Sequence, residues 1–521
     1  MRKLLSFFLL LLLFSCGSSN NDKDFLSDKS LSVGEKLQRV ITSDYLSSWK
    51  LTSEQIDWLQ AFYKSQNHQP VFMKDSALSK TGKVFLEETH HFLWYGLPEG
   101  RRLKMPENLT EIEKEVWLTL QLSTLINDLK TGCFSFDTKS FKPLKPADLS
   151  TVKTVLNRFK KEKINTVLLE VGPKDSTYYY LASQNYNFCK KYGTDSTSFS
   201  MKTQKEDSID VWKKVRTVLS QKFKLDENSD SISTYKALNE YQLMNGLDPD
   251  GKLGRNTVKA LNESNHEKAL RACISMEKIR NSKVRPEKYV RINLPEFMLY
   301  VKEKNATIEA HKVVIGKIST QTPELESEIY KVVFYPYWSV PYSITSKEML
   351  PDLKRDKNYL SRNHYKLYSG ARELDGSSIN WSNVNGSFPY RVVQQPGKHN
   401  SLGIVKFEFK NAHSVYVHDT PLKRFFNVAF RSYSHGCMRC DQPLQLAKTL
   451  LTMDSVGRKE AFTPEKVDSL ITVGKHHPVS LMRPVPIFVE YQTVVGYPDR
   501  IVFYIDLYDR DEQWLRKFKK G

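Results

Sequence analysis

The sequence predicts an α+β, multi-domain protein: an N-terminal helical scaffold, a small helical module, and a C-terminal β-rich domain that carries an insertion. Three changes of pattern along the 521 residues predict this order. Between residues 31 and 225, apolar residues recur at three- and four-residue steps. Trp117, Leu118, Leu120, Leu122, Leu125, Ile126 and Leu129 trace such a stripe, and residues 82–97 repeat the character up to the stop Gly96-Leu97-Pro98. Within 226–275 a short unit follows. Ala237, Leu238, Tyr241 and Gln242 lie on one helix, a double turn runs from Asn245 to Gly254, and Thr257, Val258, Ala260 and Leu261 resume a helix. From Tyr289 the period drops to two, as in Val290, Ile292 and Leu294, and strand patterns recur at 312–315, 330–334, 415–417 and 486–508. Helical patterns at 348–360 and 441–453 interrupt this β-rich part, which spans 286–510. A length of roughly 100–200 residues per domain makes three domains reasonable.

Composition narrows the class. A 40% hydrophobic and 12% aromatic content supplies real cores and excludes wholesale disorder. The net charge of +19 would suit nucleic acid, anionic headgroups or an anionic wall polymer. The lysines are scattered, however, which reads as solvated surface, and no nucleic-acid partner is expected. At the start, Arg2 and Lys3 precede eleven residues, 4–14, that are apolar except for Ser6. That run is too short for a membrane span of about 20 residues and fits a secretory leader. Leu13-Phe14-Ser15-Cys16 resembles a bacterial lipobox, which implies that residues 1–16 are a lipoprotein signal and that Cys16 carries lipid. Residues 17–30 would then be a flexible tether. An ordinary secretory signal is the alternative. Cys133, Cys189, Cys273, Cys437 and Cys440 remain, an odd number that leaves at least one thiol free or joined to another molecule.

The chemistry concentrates in residues 414–440, SVYVHDTPLKRFFNVAFRSYSHGCMRC. A strand delivers His418 at its end, Asp419-Thr420-Pro421 turns the chain, and Ser434-His435-Gly436-Cys437 follows. A cysteine nucleophile needs a base, because a free thiol titrates near 8.5; it also needs an orienting partner for that base and backbone donors for an oxyanion. His418 or His435 can be the base, and Gly436 lets the backbone approach a carbonyl. Asp441 reads as an N-cap for the helix carrying Leu444, Ala447, Leu450 and Leu451, whose dipole would modestly favour a thiolate. Cys437-Met438-Arg439-Cys440 also permits a zinc site with the two histidines, a redox dithiol, or buried structural thiols. Zinc would leave Gly436, Arg439 and the His-Asp-Thr-Pro turn without a role, and a redox motif would need a βαβ setting.

His418-Asp419-Thr420-Pro421 followed, nineteen residues after His418, by the nucleophile of Ser434-His435-Gly436-Cys437-Met438-Arg439 resembles the L,D-transpeptidase signature. Asn293-Leu294-Pro295, Gln321-Thr322-Pro323, Pro336-Tyr337-Trp338 and Asn400-Ser401-Leu402-Gly403 fit the same family. Gln242, Gly246-Leu247, Asp250-Gly251, Gly254 and Thr257 to Asn262 resemble a peptidoglycan-binding module. The resemblance implies a 31–225 scaffold, a 226–275 peptidoglycan-binding-like module and a 286–510 catalytic domain, with a substrate lid at about 342–394. It also implies roles. Cys437 attacks, His418 is the base, and Asp419 or a nearby carbonyl orients it. The N–H groups of His435, Gly436 and Cys437 form the oxyanion hole. Arg439, Arg431, Ser434, Asp419 and Trp338 line the substrate site, with Arg431 either reading a carboxylate or bracing the loop. The reversed assignment, His435 on the sulfur, stays open. The expected partners are peptidoglycan stem peptides in the periplasm, a membrane reached through the Cys16 lipid, and carbapenems as covalent inhibitors. No cofactor or metal is implied. The same acyl-enzyme could instead serve carboxypeptidation or protein attachment, or the chain could be a non-catalytic wall-binding lipoprotein.

Overall fold

A computed structural model describes residues 24–203, 209–304, 306–384, 387–454 and 462–520. Cys16 and the leader lie outside the described residues. The chain divides into two compact units, 1–92 with 99–171, and 93–98 with 172–521. Among the described residues, no helix is long and apolar enough to cross a membrane.

The first unit is built around Glu111–Thr131, which opens on a Thr110/Glu113 capping box and stops at Gly132. This helix is buried on nearly all sides, so even Glu115 lies inside. The Glu115 carboxylate accepts the Val71 and Phe72 N–H groups and the Tyr63 hydroxyl, which offsets its desolvation. Part of the expected 17–30 tether is folded. Asp24–Ser27 is a short helix, and Phe25 meets the Tyr45 ring edge-on.

The second unit holds the helices Ser176–Tyr192 and Ile209–Phe223, which the sequence pattern groups with the scaffold. They pack instead beside the module and the β-rich domain, because their buried faces find partners there: Phe188 meets Phe503, and Val215 and Leu219 share a core with Leu238, Tyr241 and Leu261. In the module, Ser231–Met244 and Arg255–Asn262 flank the double turn. Gln242 ties that turn together. Its amide donates to Asp250, to the Lys252 carbonyl and to Thr257, and its carbonyl accepts the Gly251 N–H, which explains why Gln, Asp-Gly and Thr occur at this spacing.

The β-rich domain is one sheet of nine strands: β1 Lys288–Asn293, β2 Met298–Glu303, β3 Ala306–Gly316, β4 Leu325–Phe334, β5 Val405–Phe409, β6 Val417–His418, β7 Ser432–Ser434, β8 Met438–Cys440 and β9 His477–Glu490. Their order is β7-β3-β8-β6-β5-β4-β9-β1-β2, and β2 also pairs with the long β3, so the sheet closes on itself. Val290, Val313, Val332, Phe407 and Val417 fill its interior with Leu446, Leu450 and Leu451 of the helix Pro443–Met453. The insertion after β4 has its own small sheet and its own core of Met349, Leu353, Leu367, Trp381 and Val392.

Candidate active site

The parallel pair β6–β8 builds the site. Val417 lies opposite Met438 and His418 opposite Arg439. Val417, Met438 and Cys440 point into the core at 1% exposure or less. Alternation then puts Tyr416, His418, Cys437 and Arg439 on the other face. Cys437 sits across from Tyr416 and diagonal to His418, with Cα atoms about 8 Å apart for a strand spacing near 4.8 Å and a rise near 3.3 Å per residue. Two residues nineteen positions apart become neighbours through one register.

His418 is buried, and its Nδ1 lies 2.5 Å from the Asp419 backbone carbonyl. A carbonyl only accepts, so Nδ1 carries the proton and Nε2 presents a lone pair. The Asp419 side chain takes no part. Its oxygens accept the Ile404 N–H at 2.9 Å and Lys423 Nζ at 2.6 Å, as alternation across the strand requires. Gly403 makes room for that carboxylate: with φ +60, a Cβ there would lie 2.2 Å from Asp419 Oδ2. Burial, then the nearby Arg439 charge, pushes His418 down to about 3. Burial also pushes the Cys437 thiol up, against the pull of Tyr416 hydrogen bonds and of the Lys406 and Arg439 charges. At neutral pH the His418 imidazole is therefore uncharged, with Nε2 left as its acceptor.

Tyr416 was not singled out in the sequence, though its position two residues before His418 on the same strand face was a usable signal. Hydrogen bonding from Tyr416 draws the Cys437 thiol down against burial, and the sulfur lies 4.0 Å from the Ser414 carbonyl oxygen. Trp338 lies in the short strand Trp338–Ser339, opposite Gln394 in the small sheet of the insertion.

The Cys437 loop is braced from behind. Ser434 Oγ donates to the Cys437 carbonyl at 2.5 Å and accepts the Gly436 N–H at 3.2 Å. That bond occupies the Gly436 N–H, so the expected oxyanion set loses this donor, and Ser434 is a buried clamp rather than a substrate contact. Thr322 Oγ1 donates to the Gly436 carbonyl at 2.8 Å, and Thr320 Oγ1 to the Ser434 carbonyl at 3.1 Å. Gly436 itself has φ +112, a conformation that other residues rarely adopt. Arg431 is likewise a brace, donating to the Val313, Val428 and Phe297 carbonyls. Arg439 differs: it lies over the Phe425 ring, and its buried guanidinium nitrogen Nη1 has no hydrogen-bond partner among the described residues. His435 turns outward, and its Nε2 lies 2.6 Å from Glu348 of the insertion.

One local expectation fails, and two rival readings fall away. Asp441 is not the N-cap. Residues 438–440 form β8, and the helix begins at Pro443 after Gln442 with φ +48. A helix dipole fades within a turn, so it does not support a Cys437 thiolate. Cys437 and Cys440 face opposite sides of β8, and Cys440 fills an apolar core slot, so they do not form the dithiol or paired zinc ligands considered above. Among the described residues, no group of three or more His, Cys, Asp or Glu could hold a metal ion.

Residues 287–467 match the model of an L,D-transpeptidase catalytic domain, residues 57–184 a scaffold domain, and residues 227–261 a "Putative peptidoglycan binding domain". A Haemophilus influenzae (strain ATCC 51907 / DSM 11121 / KW20 / Rd) protein named "Putative L,D-transpeptidase" is 30% identical over 224 residues, 43% of this chain and 44% of that protein. The chain thus spans less than half the length of this curated relative. Two solved structures also align. One is described as the Ldtfm-avibactam carbamoyl enzyme, at 11% identity over 40% of this chain and 51% of that chain, with a TM-score of 0.20. The other is an L,D-transpeptidase from Mycobacterium smegmatis, at 14% over 39% and 58%, with a TM-score of 0.18. The catalytic-domain and module matches agree with the motifs from which the family resemblance was read.

Proposed function

We propose that this protein is an L,D-transpeptidase of the bacterial envelope that forms an acyl-enzyme on Cys437 and joins peptidoglycan stem peptides by 3–3 cross-links. The observation that supports the proposal is the β6–β8 register, which sets half-buried Cys437 diagonal to a neutral His418 whose tautomer is set by the Asp419 carbonyl. The donor is a tetrapeptide stem, cut between its diamino acid and terminal D-Ala. As the sulfur attacks the carbonyl, the thiol proton passes to His418 Nε2. The Cys437 and His435 N–H groups stabilise the oxyanion. Collapse breaks the C–N bond, and the D-Ala amine leaves with the His418 proton. A side-chain amine of a second stem then attacks the thioester and gives a proton to His418, and the departing thiolate recovers it. The unpaired Arg439 nitrogen receives a stem carboxylate. Lipid on Cys16 would hold the protein to a membrane facing the periplasm, and carbapenems would acylate Cys437 and no other cysteine.

The test is incubation with purified disaccharide tetrapeptides and mass spectrometry of the products. The wild type should release D-Ala and yield cross-linked dimers, and Cys437→Ala should yield neither. Cross-linking by Cys437→Ala would overturn the proposal. Tripeptide alone from the wild type would turn the reading to carboxypeptidation, and attachment to an added lipoprotein amine would turn it to protein anchoring.

A further inference from the structure

An ion pair joins the insertion to the Cys437 loop and has no part in the reaction above: His435 Nε2 lies 2.6 Å from Glu348 Oε1. We propose that Glu348 is a positioning residue of the active site. By holding the His435 ring it fixes the backbone of His435 and Cys437, whose N–H groups meet the oxyanion, so the insertion completes the acylating site. The inference rests on the acyl-enzyme reading proposed above.

The local sequence directs Glu348 out of the insertion. Thr345–Met349 is a π-turn, in which the Leu350 N–H reaches back to the Thr345 carbonyl. Pro351 accounts for the wide turn: it has no N–H to give the Lys347 carbonyl, and its ring would press on that carbonyl in a regular helix. Such turns are rare and recur at functional sites. Thr345 and Met349 are buried, Met349 in the core of the insertion, whereas Glu348 is exposed and turns its carboxylate to His435. The insertion is fixed at its base without this contact: the Val340 N–H donates to the Val392 carbonyl, and Asn400 Nδ2 donates to the Pro336 and Gln395 carbonyls.

The Cys437 loop needs a restraint on this side. Gly436, with φ +112, gives its backbone a freedom that other residues lack. Ser434 Oγ and Thr322 Oγ1 hold the Gly436 N–H and the Gly436 and Cys437 carbonyls from behind, and the outward-turned His435 ring is left for Glu348 to set. A carboxylate oxygen accepts, so Nε2 of His435 carries the proton in this bond. A ring anchored at its tip restricts the χ angles of His435. Rotamer and backbone torsions are coupled, so the anchor reaches the peptide that points at the carbonyl oxygen. A partly exposed ion pair contributes little to folding. A misplaced oxyanion donor, by contrast, costs the transition state heavily.

The experiment compares two reactions of the same sulfur. Acylation by imipenem opens the β-lactam through a tetrahedral oxyanion, whereas alkylation by iodoacetamide displaces iodide and forms none. Both are followed on the full chain by mass spectrometry, with the modified peptide mapped to Cys437. Glu348→Ala should slow acylation about tenfold, less than the roughly 100-fold cost of deleting an oxyanion donor outright. It should change alkylation by less than about twofold, because the thiol and its access are untouched. In a His435→Ala background, Glu348→Ala should add less than about twofold to the acylation loss, since its effect passes through the ring. The thermal midpoint of Glu348→Ala should stay within about 2 °C of wild type. The proposal is overturned if Glu348→Ala acylates at the wild-type rate, if alkylation slows in parallel, if the loss is as large without the His435 ring, or if the midpoint drops with the rate. Failure of the wild type to form an imipenem adduct on Cys437 would overturn the acyl-enzyme reading and this inference together. Equal adduct rates in wild type and Glu348→Ala would overturn this inference alone.

Discussion

Tyr416→Phe isolates what supports the Cys437 thiolate. The substitution removes one oxygen and keeps the ring, which packs edge-on against His418 at 5.6 Å between centroids and lies 4.2 Å from Lys406 Nζ. Hydrogen bonding from Tyr416 opposes the upward push of burial on the thiol. A hydrogen bond to a charged group is worth about 1.5–3 kcal/mol, and about 1.4 kcal/mol is one pKa unit, so its loss should raise the Cys437 midpoint by about 1–2 units. Near neutral pH, where thiolate is the minor form, alkylation by iodoacetamide should slow at least about tenfold. The assay is the rate of Cys437 alkylation against pH, read by peptide mass spectrometry. The limiting rate at high pH should change little, because the thiolate itself stays accessible. A midpoint that is unchanged or lower in Tyr416→Phe would show that the phenol does not hold the thiolate and would refute the reasoning.

Three further outcomes follow from named contacts. Arg431→Met should lower stability by about 3 kcal/mol, because buried carbonyls at Val313, Val428 and Phe297 lose their donor; a thermal midpoint within about 2 °C of wild type would contradict the bracing role. Gly436→Ala should cut Cys437 acylation about 100-fold or more, since φ +112 costs a non-glycine residue about 1–3 kcal/mol and relaxation would move the adjacent nucleophile; the nearest atom to an added Cβ is 3.7 Å away, so crowding is not the cause, and an unchanged acylation rate would count against it. Burial pushes the Glu263 carboxyl up, but Arg271 and Lys268 outweigh it and hold the group at about 2. Its folded value is below its unfolded one, so the unfolded chain binds the proton first as pH falls. The stabilisation is therefore present above the unfolded value of about 4.5 and lost toward about 2, about 3 kcal/mol in all; a denaturation midpoint in Glu263→Gln that falls as steeply as wild type across that window would refute this.

The sequence by itself determined the elements with strong local signals. The helical stripe through Trp117 and Leu129, the alternation at Val290, Ile292 and Leu294, and the module turn held by Gln242 all form where their periods place them. Their signals are short in range: period, turn residues and motif spacing act within a few positions of the chain. The candidate nucleophile and base were legible for the same reason, since His418 and the Ser434 to Cys437 run are contiguous motifs. Partners across the sheet were not legible. Whether Arg431 reads a substrate or braces a loop depends on Val313 and Phe297, more than a hundred residues away. Likewise, the place of Tyr416 depends on the register of β6 with β8, and the orientation of Asp419 depends on Gly403 of the neighbouring chain segment. Even the local expectation at Asp441 failed, because residues 438–440 gain more as a strand paired to β3 and β6 than as a lead into a helix. Register and closure of the sheet are collective properties: one strand finds its neighbours only when all of them have found theirs, so tertiary structure alone decided which side chains face Cys437 and which hold up its loop.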